Sequence, residues 1–224
     1  MTKTRHRFPG SDSDRINGQA GVTNGLTRRN FTGFLAASAA LSVSGCALIV
    51  PEPAPEVYDL VIGEGLSDIQ GRASGQILIT EPKVLNSLNS DRIVIRPSAS
   101  QITYFPKVRW SDRLPRMVQL YLSRAYSLSG GARAVGLPGD GLIIDYQLLF
   151  DLRDFQIERT GSGFMAKVTI AMRILNDRNG RVVASRIFEQ SAPSTDEPVA
   201  AIQALNGVLN DLTNAMIAWT YRTV

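Results

Sequence analysis

The chain has 224 residues, enough for one domain with a sizeable core, and 24 Lys and Arg against 20 Asp and Glu give it a formal charge of +4. Six of the basic and two of the acidic residues precede Cys46, which leaves 18 of each sign from there on. A neutral body without a basic run can neutralise few phosphates, so nucleic acid is not the expected partner, although folding could still assemble a small basic patch. The charges of the leader are Lys3, Arg5, Arg7, Asp12, Asp14, Arg15, Arg28 and Arg29.

Histidine and cysteine are nearly absent from this sequence. The single histidine, His6, lies in the leader, and Cys46 is the single cysteine. A Ser-His-Asp or Cys-His catalytic device therefore cannot form in the body of the chain, and neither can a zinc site built on His or Cys. We expect no catalytic residue, no metal site and no cofactor there.

The leader has the pattern of an export signal. Residues 1–26 are polar and lack an apolar period, which predicts disorder. Arg28 and Arg29 then precede an apolar stretch at residues 34–43, about half of the ~20 residues that span a bilayer. The arginine pair resembles a twin-arginine signal, and export by the Sec pathway stays open because the residues after the pair depart from the usual ending. A buried core helix is the alternative interpretation of the apolar stretch.

A lipid attachment site is predicted at Cys46. The run from Val43 to Cys46 (VSGC) resembles a bacterial lipobox, in which small residues admit a peptidase and the thiol receives a diacylglycerol. Acylation of the freed amine adds a further chain, and each buried CH₂ contributes ~0.8 kcal/mol to membrane attachment. We predict a cleaved signal at residues 1–45 and lipidation of Cys46, with a free thiol in a disordered leader as the alternative. Ala47 favours the outer membrane over the inner one.

A tether is predicted between the lipidated cysteine and the folded domain. Residues 51–55 contain three prolines, which favour an extended and semi-rigid segment over residues 46–56. The domain is predicted to begin near Val57 and to continue to residue 224.

Four short strands are predicted in the first half of this domain. Residues 91–97 alternate Ile93 and Ile95 with Arg92, Val94 and Arg96, as a half-buried strand would, and Pro82 ends the second segment. The last two are expected to pair as a hairpin across Ser98 to Ser100. The four segments are residues 58–62, 76–80, 91–97 and 101–105.

A helix is predicted over Trp110–Leu128, because apolar residues recur there at spacings of three and four. Pro115 fits the first turn, with Ser111 or Asp112 near the N-cap. Trp110 is interpreted as a core anchor, with ligand stacking as the alternative. Residues 129–141 contain five glycines and a proline, which predicts a loop.

The second half is predicted to hold three long strands and a second helix. The strands are expected at residues 141–158, 164–175 and 181–190, with a turn at 177–180, as an antiparallel meander. The helix is predicted over residues 197–221, with Thr195 or Asp196 as its cap and Pro198 in its first turn. The predicted fold class is α+β: an antiparallel β-sheet with two long helices packed on one face, preceded by the cleaved signal and the Pro-rich tether.

The order of these elements, together with several local patterns, resembles the ABC-type transport auxiliary lipoprotein family. The resemblance covers residues 57–221 and is most specific from Arg92 to Leu122. The residues that carry it are Tyr58-Asp59-Leu60, Ile77 to Pro82, Asp91 to Arg96, Ile102 to Phe105, Arg109-Trp110 and Leu114 to Gln119.

The resemblance implies a lipid-anchored periplasmic domain at residues 57–224 that is not an enzyme. Such a domain works beside an ABC transporter permease and ATPase and an MCE-domain (mammalian cell entry) protein, in a system that moves lipids between the inner and outer membranes. The expected location is the periplasmic face of the outer membrane. A tethered domain would meet its partners at raised effective concentration.

Four residues are candidates for the partner surface: Tyr104, Phe105, Arg109 and Arg113. They lie where a predicted strand leads into the first predicted helix, and exposed aromatics with arginine are typical of partner interfaces. Ordinary packing or a solvated charge is the alternative for each. Two other functions stay open: a carrier that binds an acyl chain between helices and sheet, and an envelope-assembly lipoprotein unrelated to transport.

Overall fold

The structure, a computed structural model, describes residues 53–64, 66 and 69–224. The predicted signal at residues 1–45, with Arg28 and Arg29, and the lipidation site Cys46 lie outside the described residues. The elements in chain order are β1 Glu56–Tyr58, β2 Gln76–Ile79, β3 Lys83–Val84, β4 Val94–Ser98, β5 Gln101–Tyr104, β6 Val108–Trp110, α1 Leu114–Leu128, β7 Ala134–Gly136, β8 Tyr146–Thr160, β9 Gly163–Asn176, β10 Arg181–Ser194 and α2 Pro198–Thr223.

The predicted antiparallel meander is confirmed in β8, β9 and β10. Tyr146 pairs with Asn176, and Asn176 pairs with Arg181 across the next ladder. Alternate residues of β9, from Ala166 to Ile174, are fully buried on one face, as the sequence period predicts. In β8 the buried set changes from even to odd numbers at a β-bulge between Leu152 and Asp154, because the extra residue reverses the pleat.

The larger sheet is mixed: the three long strands are antiparallel, as predicted, and short parallel strands are added to them. Its strand order is β10-β9-β8-β2-β7, and β3 and β4 also pair with β8. β2, β3 and β4 all run parallel to β8, and they contact residues 146–148, 151–152 and 156–158 in turn. β2, β3 and β4 follow one another along the same edge of β8 and do not lie side by side. No crossover helix is therefore needed between them. The predicted β4–β5 hairpin is confirmed as an antiparallel pair.

Both long helices cover the same face of the sheet. The buried residues of α1, α2 and the strands form one hydrophobic cluster. The helices contact each other through Tyr126 and Tyr221, whose ring centroids lie 6.3 Å apart in an edge-to-face arrangement. α2 contacts β10 through Trp219 and Phe188, at 5.7 Å. Each fully buried large apolar side chain in this layer contributes about 1.5–3 kcal/mol. The α+β fold class is thus confirmed.

The helix starts differ from those predicted. α1 begins after Arg113, whose side chain makes no capping bond, because a guanidinium has no acceptor for the helix N–H groups; the carboxylate of Asp112 accepts the N–H of Arg113 at 2.6 Å. α2 is capped by Glu197, one residue later than predicted, and its carboxylate accepts the N–H groups of Val199 and Ala200. The prolines fall in the first turns as expected, because that position leaves no hydrogen bond unmade.

Three further predictions are corrected by the structure. The first strand ends at Tyr58 instead of continuing to residue 62, and β1 pairs in parallel with β6. Trp110 belongs to β6 and precedes the helix. The predicted loop at residues 129–141 contains the short strand β7, which pairs with β2. Among the described residues, no helix is both long and apolar enough to cross a bilayer.

Candidate partner surface

Two of the four predicted surface residues lie together in a groove beside β1, here called the β1 groove and lined by Val57, residues 89–91 and residues 109–113. β6 turns Arg109 outward because its neighbours Val108 and Trp110 are the buried positions of the strand. Arg113 lies at the exposed start of α1. The groove has a volume of about 460 Å³ and an exposed valine, Val57, at its rim.

Both arginines of the β1 groove already have carboxylate partners. Arg109 Nη1 lies 3.4 Å from Asp91 Oδ2, and Arg113 Nη2 lies 3.1 Å from Glu81 Oε1. Arg113 Nη1 also donates to the side-chain oxygen of Asn89 at 2.6 Å. Such half-exposed ion pairs contribute about 0–1 kcal/mol each. A partner that bound these guanidinium groups would first have to displace the internal carboxylates.

The two aromatic candidates do not belong to an exposed patch. Phe105 is 6% exposed and packs in the core, so its predicted role in partner binding is wrong. Tyr104 is half-buried and lies under the guanidinium of Arg92, 3.8 Å from its ring centroid. Trp110 is 1% exposed and meets Phe155 edge to face at 5.9 Å, which confirms the core role and removes ligand stacking.

Two asparagines of α2 hold the chain that follows β1. The Asn206 side chain accepts the N–H of Val61 at 2.8 Å and donates to its carbonyl at 2.9 Å. The Asn210 side chain accepts the N–H of Gly63 at 2.6 Å. A Cβ at Gly63 would lie 2.8 Å from the side-chain carbon of Asn210, so glycine permits this close approach. We call these contacts the asparagine clamp.

Tyr121 supports the asparagine clamp from α1. Its hydroxyl donates to the same oxygen of Asn210, so α1, α2 and the chain at Gly63 meet at one amide. Burial raises the pKa of Tyr121 to about 12, which keeps this donor protonated. The sequence analysis missed this clamp, although two asparagines spaced by one helical turn beside an apolar stripe were a usable signal.

Five exposed arginines meet at one end of the sheet, here called the arginine end. The register aligns the strands β7, β2, β8, β9 and β10 at this end. Gln76 of β2 pairs with Ala134 of β7, and the next residue of β2 pairs with Tyr146 of β8; Asn176 of β9 pairs with both Tyr146 and Arg181 of β10. Residues 72–73 and 131–133 join this end, because the N–H of Ala73 donates to the carbonyl of Gly131 at 2.9 Å. The five are Arg72, Arg133, Arg178, Arg181 and Arg222.

Asp145 is the acidic centre of the arginine end. One carboxylate oxygen accepts the N–H of Gln76 at 2.9 Å, and the other accepts Arg178 Nη2 at 2.7 Å. The backbone hydrogen bond from Gln76, followed by the Arg178 guanidinium, lowers the pKa of Asp145 below its ordinary value of 3.8. This carboxylate is therefore charged and fully engaged at neutral pH.

Comparison of this chain with known protein families identifies the family to which it belongs. The family model described as the ABC-type transport auxiliary lipoprotein component matches residues 58–217. This chain belongs to the ABC-type transport auxiliary lipoprotein family. The resemblance seen in the sequence is thereby confirmed, and the description of the family is that of an auxiliary lipoprotein component of ABC-type transport.

Individual relatives of this auxiliary lipoprotein are similar in sequence or fold. An uncharacterized protein of Bradyrhizobium diazoefficiens is 31% identical over 174 residues, which are 77% of this chain and 47% of the relative. This chain thus spans about half the length of that relative. The crystal structure of protein XCC0632 from Xanthomonas campestris, of family DUF330, is 26% identical with a TM-score of 0.70, covering 75% of this chain and 95% of the other. A second crystal structure, 14% identical, shares the fold with a TM-score of 0.57 over 74% of this chain and 97% of its own.

Proposed function

We propose that this auxiliary lipoprotein is the non-enzymatic, membrane-anchored adaptor of an ABC/MCE-type system that moves lipids between the inner and outer membranes. Membership of the auxiliary lipoprotein family is the observation that carries the proposal. Its partners would be an MCE-domain protein and the ABC permease and ATPase. The domain would hold or contact that assembly on the periplasmic face of the outer membrane.

Dense packing favours an adaptor over a lipid carrier. The side chains between helices and sheet, such as Leu122, Leu148 and Leu205, are fully buried in one continuous cluster. The groove between α1 and residues 59–62 has a volume of about 190 Å³, whereas ligand pockets commonly hold about 300–1,000 Å³. Native mass spectrometry of the domain from residue 53 should therefore find protein without bound lipid.

The anchor is proposed at Cys46, after export directed by Arg28 and Arg29 and cleavage of residues 1–45. Cells expressing the full chain should incorporate labelled palmitate into it, and globomycin should retain a heavier precursor. Cys46→Ala should abolish the label and move the protein to the soluble fraction. A wild-type protein that takes up no label would contradict the proposed anchor. Ala47→Asp should shift the labelled protein from the outer to the inner membrane on a density gradient, if the location is assigned correctly.

The transport role is tested by affinity purification of the full chain from its own cells after mild solubilisation. We expect an MCE-domain protein, a permease and an ATPase to be identified among the co-purified proteins. Cys46→Ala serves as a control, because loss of the anchor should reduce recovery by lowering the effective concentration and leave the domain folded. Recovery of none of these three proteins with the wild-type chain would contradict the proposal.

A further inference from the structure

The arginine end has more positive charge than the carboxylates around it compensate. Its eight charged side chains are the five arginines and three aspartates, Asp140, Asp145 and Asp177. Within the described residues, only Arg178 of these arginines has a carboxylate within 4.0 Å. Five cationic side chains thus face three anionic ones, and among the described residues Arg72, Arg133, Arg181 and Arg222 have no carboxylate within 4.0 Å.

Exposed apolar side chains gather at the same end. The described residues include eleven large hydrophobic side chains that are exposed, and five belong to the segments that build the arginine end. Ile143 is 82% exposed on the loop that leads into Asp145, and Leu128 is 62% exposed at the end of α1. The other three are Leu142, Val182 and Val183. Four of the five are adjacent in sequence, as residues 142–143 in the loop before β8 and residues 182–183 in β10.

This composition matches a protein interface and not a solvated surface. Interfaces are enriched in arginine, have an apolar core and are depleted of Lys, Glu and Asp; the segments 69–76, 128–146, 175–183 and 219–224 contain no Lys and no Glu, and three Asp. Arginine also presents a planar fork that pairs with carboxylates in a bidentate way. The complementary surface is therefore acidic with an apolar centre.

The position of the arginine end also favours a protein partner over the membrane of the proposed anchor. The described chain enters through β1, which pairs with β6, and Trp110 of β6 contacts Phe155. Phe155 lies nine residues along β8 from Tyr146, a distance of about 30 Å at ~3.3 Å per residue. The β1–β6 pair, through which the described chain enters, and the arginine end are thus far apart along β8.

We propose that the arginine end is the surface by which this lipoprotein docks on an acidic protein surface of the transport assembly. The assignment rests on the proposed function for the identity of the assembly, but not for the site. Docking there would leave the β1 side free to stay near the membrane. The guanidinium groups would select carboxylates, and Leu128 and Ile143 would supply the buried centre of the contact.

The test is photo-crosslinking in the native cells with the full-length chain. A p-benzoylphenylalanine is placed at Leu128 or Ile143 in turn, and at Leu85 as the matched control, because Leu85 is 63% exposed but lies away from this end. Both test positions should crosslink to the same protein, through a peptide that contains Asp or Glu, and Leu85 should not. No protein adduct at either test position, an equal adduct from Leu85, or adducts with lipid alone would overturn the docking site.

Charge reversal sharpens the test. Arg72→Glu with Arg181→Glu should lower the crosslink yield at both test positions about tenfold, because the carboxylates would repel the partner. Arg109→Glu with Arg113→Glu makes the same change of charge at the β1 groove and should leave the yield unaltered. Lys substitutions at the mapped acidic residues of the partner should restore the yield. If the crosslink yield is unchanged by Arg72→Glu with Arg181→Glu, or falls equally with both double variants, the role of the arginines is contradicted.

The two proposals fail in distinguishable ways. If Leu128 and Ile143 crosslink to an acidic peptide of a protein outside any ABC/MCE assembly, the docking site stands and the transport role fails. If the assembly co-purifies with the wild-type chain but neither position forms a protein crosslink, the transport role stands and the docking site fails.

Discussion

The β1 groove and the arginine end both display arginine beside exposed apolar residues, yet their charges are in different states. In the β1 groove, Arg109 and Arg113 are each paired with a carboxylate. At the arginine end, one of five arginines is so paired within the described residues. The sequence analysis selected the first region because Arg109 and Arg113 are close together in sequence. In the folded domain both are paired with carboxylates, whereas the arginines of the second region come from distant segments.

The comparison is most strongly tested by truncating one aromatic or apolar residue from each region. Trp110→Ala, at the floor of the β1 groove, should lower the free energy of unfolding by about 3–5 kcal/mol, because a buried indole and its contact with Phe155 are lost. Leu128→Ala at the arginine end should change it by less than about 0.5 kcal/mol, since the side chain is 62% exposed. Urea unfolding measures both. Similar losses from the two variants would mean that Leu128 serves packing and not docking.

The asparagine clamp belongs to the β1 side and should matter for stability. Asn210→Ala removes the acceptor of Gly63 and leaves the Tyr121 hydroxyl without its partner, so we expect a loss of about 1–3 kcal/mol. Gln203→Ala, an exposed position of the same helix, is the control and should stay within about 0.5 kcal/mol. Chemical denaturation monitored by tryptophan fluorescence checks this. An unchanged midpoint for Asn210→Ala would show that the clamp contributes nothing.

Charge reversal should change the stability of the two regions by different but smaller amounts. Arg109→Glu with Arg113→Glu places new carboxylates beside Asp91 and Glu81, and should cost about 1 kcal/mol in total at low salt. Arg72→Glu with Arg181→Glu breaks no ion pair, and its melting temperature should match the wild type. Thermal unfolding at low and high salt measures the difference, which screening should shrink. Equal destabilisation by both pairs would erase the distinction between the regions.

The smallest expected effect concerns Asp145 in acid. Because its folded pKa lies below 3.8, this carboxylate contributes stability at pH values above 3.8, and the contribution is lost as the pH falls through the folded pKa. Asp145→Asn should therefore be less stable than the wild type near neutral pH, with a difference that narrows as the pH is lowered below about 4. Urea titrations of both proteins across this interval provide the measurement. A constant difference would mean that the charge is not what stabilises this end.

The long strands and helices were predictable because the regular spacing of apolar residues is enough to distinguish a strand from a helix. The alternating residues of β9 and the apolar stripe of α2 specify strand and helix without knowledge of their neighbours. The short strands were not, since β3 has two residues and β7 has three, and what stabilises them is pairing with β8 or β2. The alternation of apolar and polar residues is the same in parallel and antiparallel strands. It therefore could not reveal that β2, β3 and β4 run parallel to β8.

The candidate surface shows the same limit. Arg109 was correctly placed on the exterior, because a short strand with buried neighbours must turn it outward. Phe105 was not, since one aromatic at a strand end can face either way, and only the tertiary fold shows that it is buried. The arginine end was beyond sequence reasoning, because its five cationic residues come from separate segments that the sheet register brings together.

The asparagine clamp has a mechanical consequence. Any pull that arrives through residue 53 is carried first by the three-residue pairing of β1 with β6 and then by amides projecting from the middle of a 26-residue helix. The entering chain is thereby held to α2 as well as to a strand. The course of the chain between β1 and residue 63 is therefore set in part by two side chains of a single helix, Asn206 and Asn210.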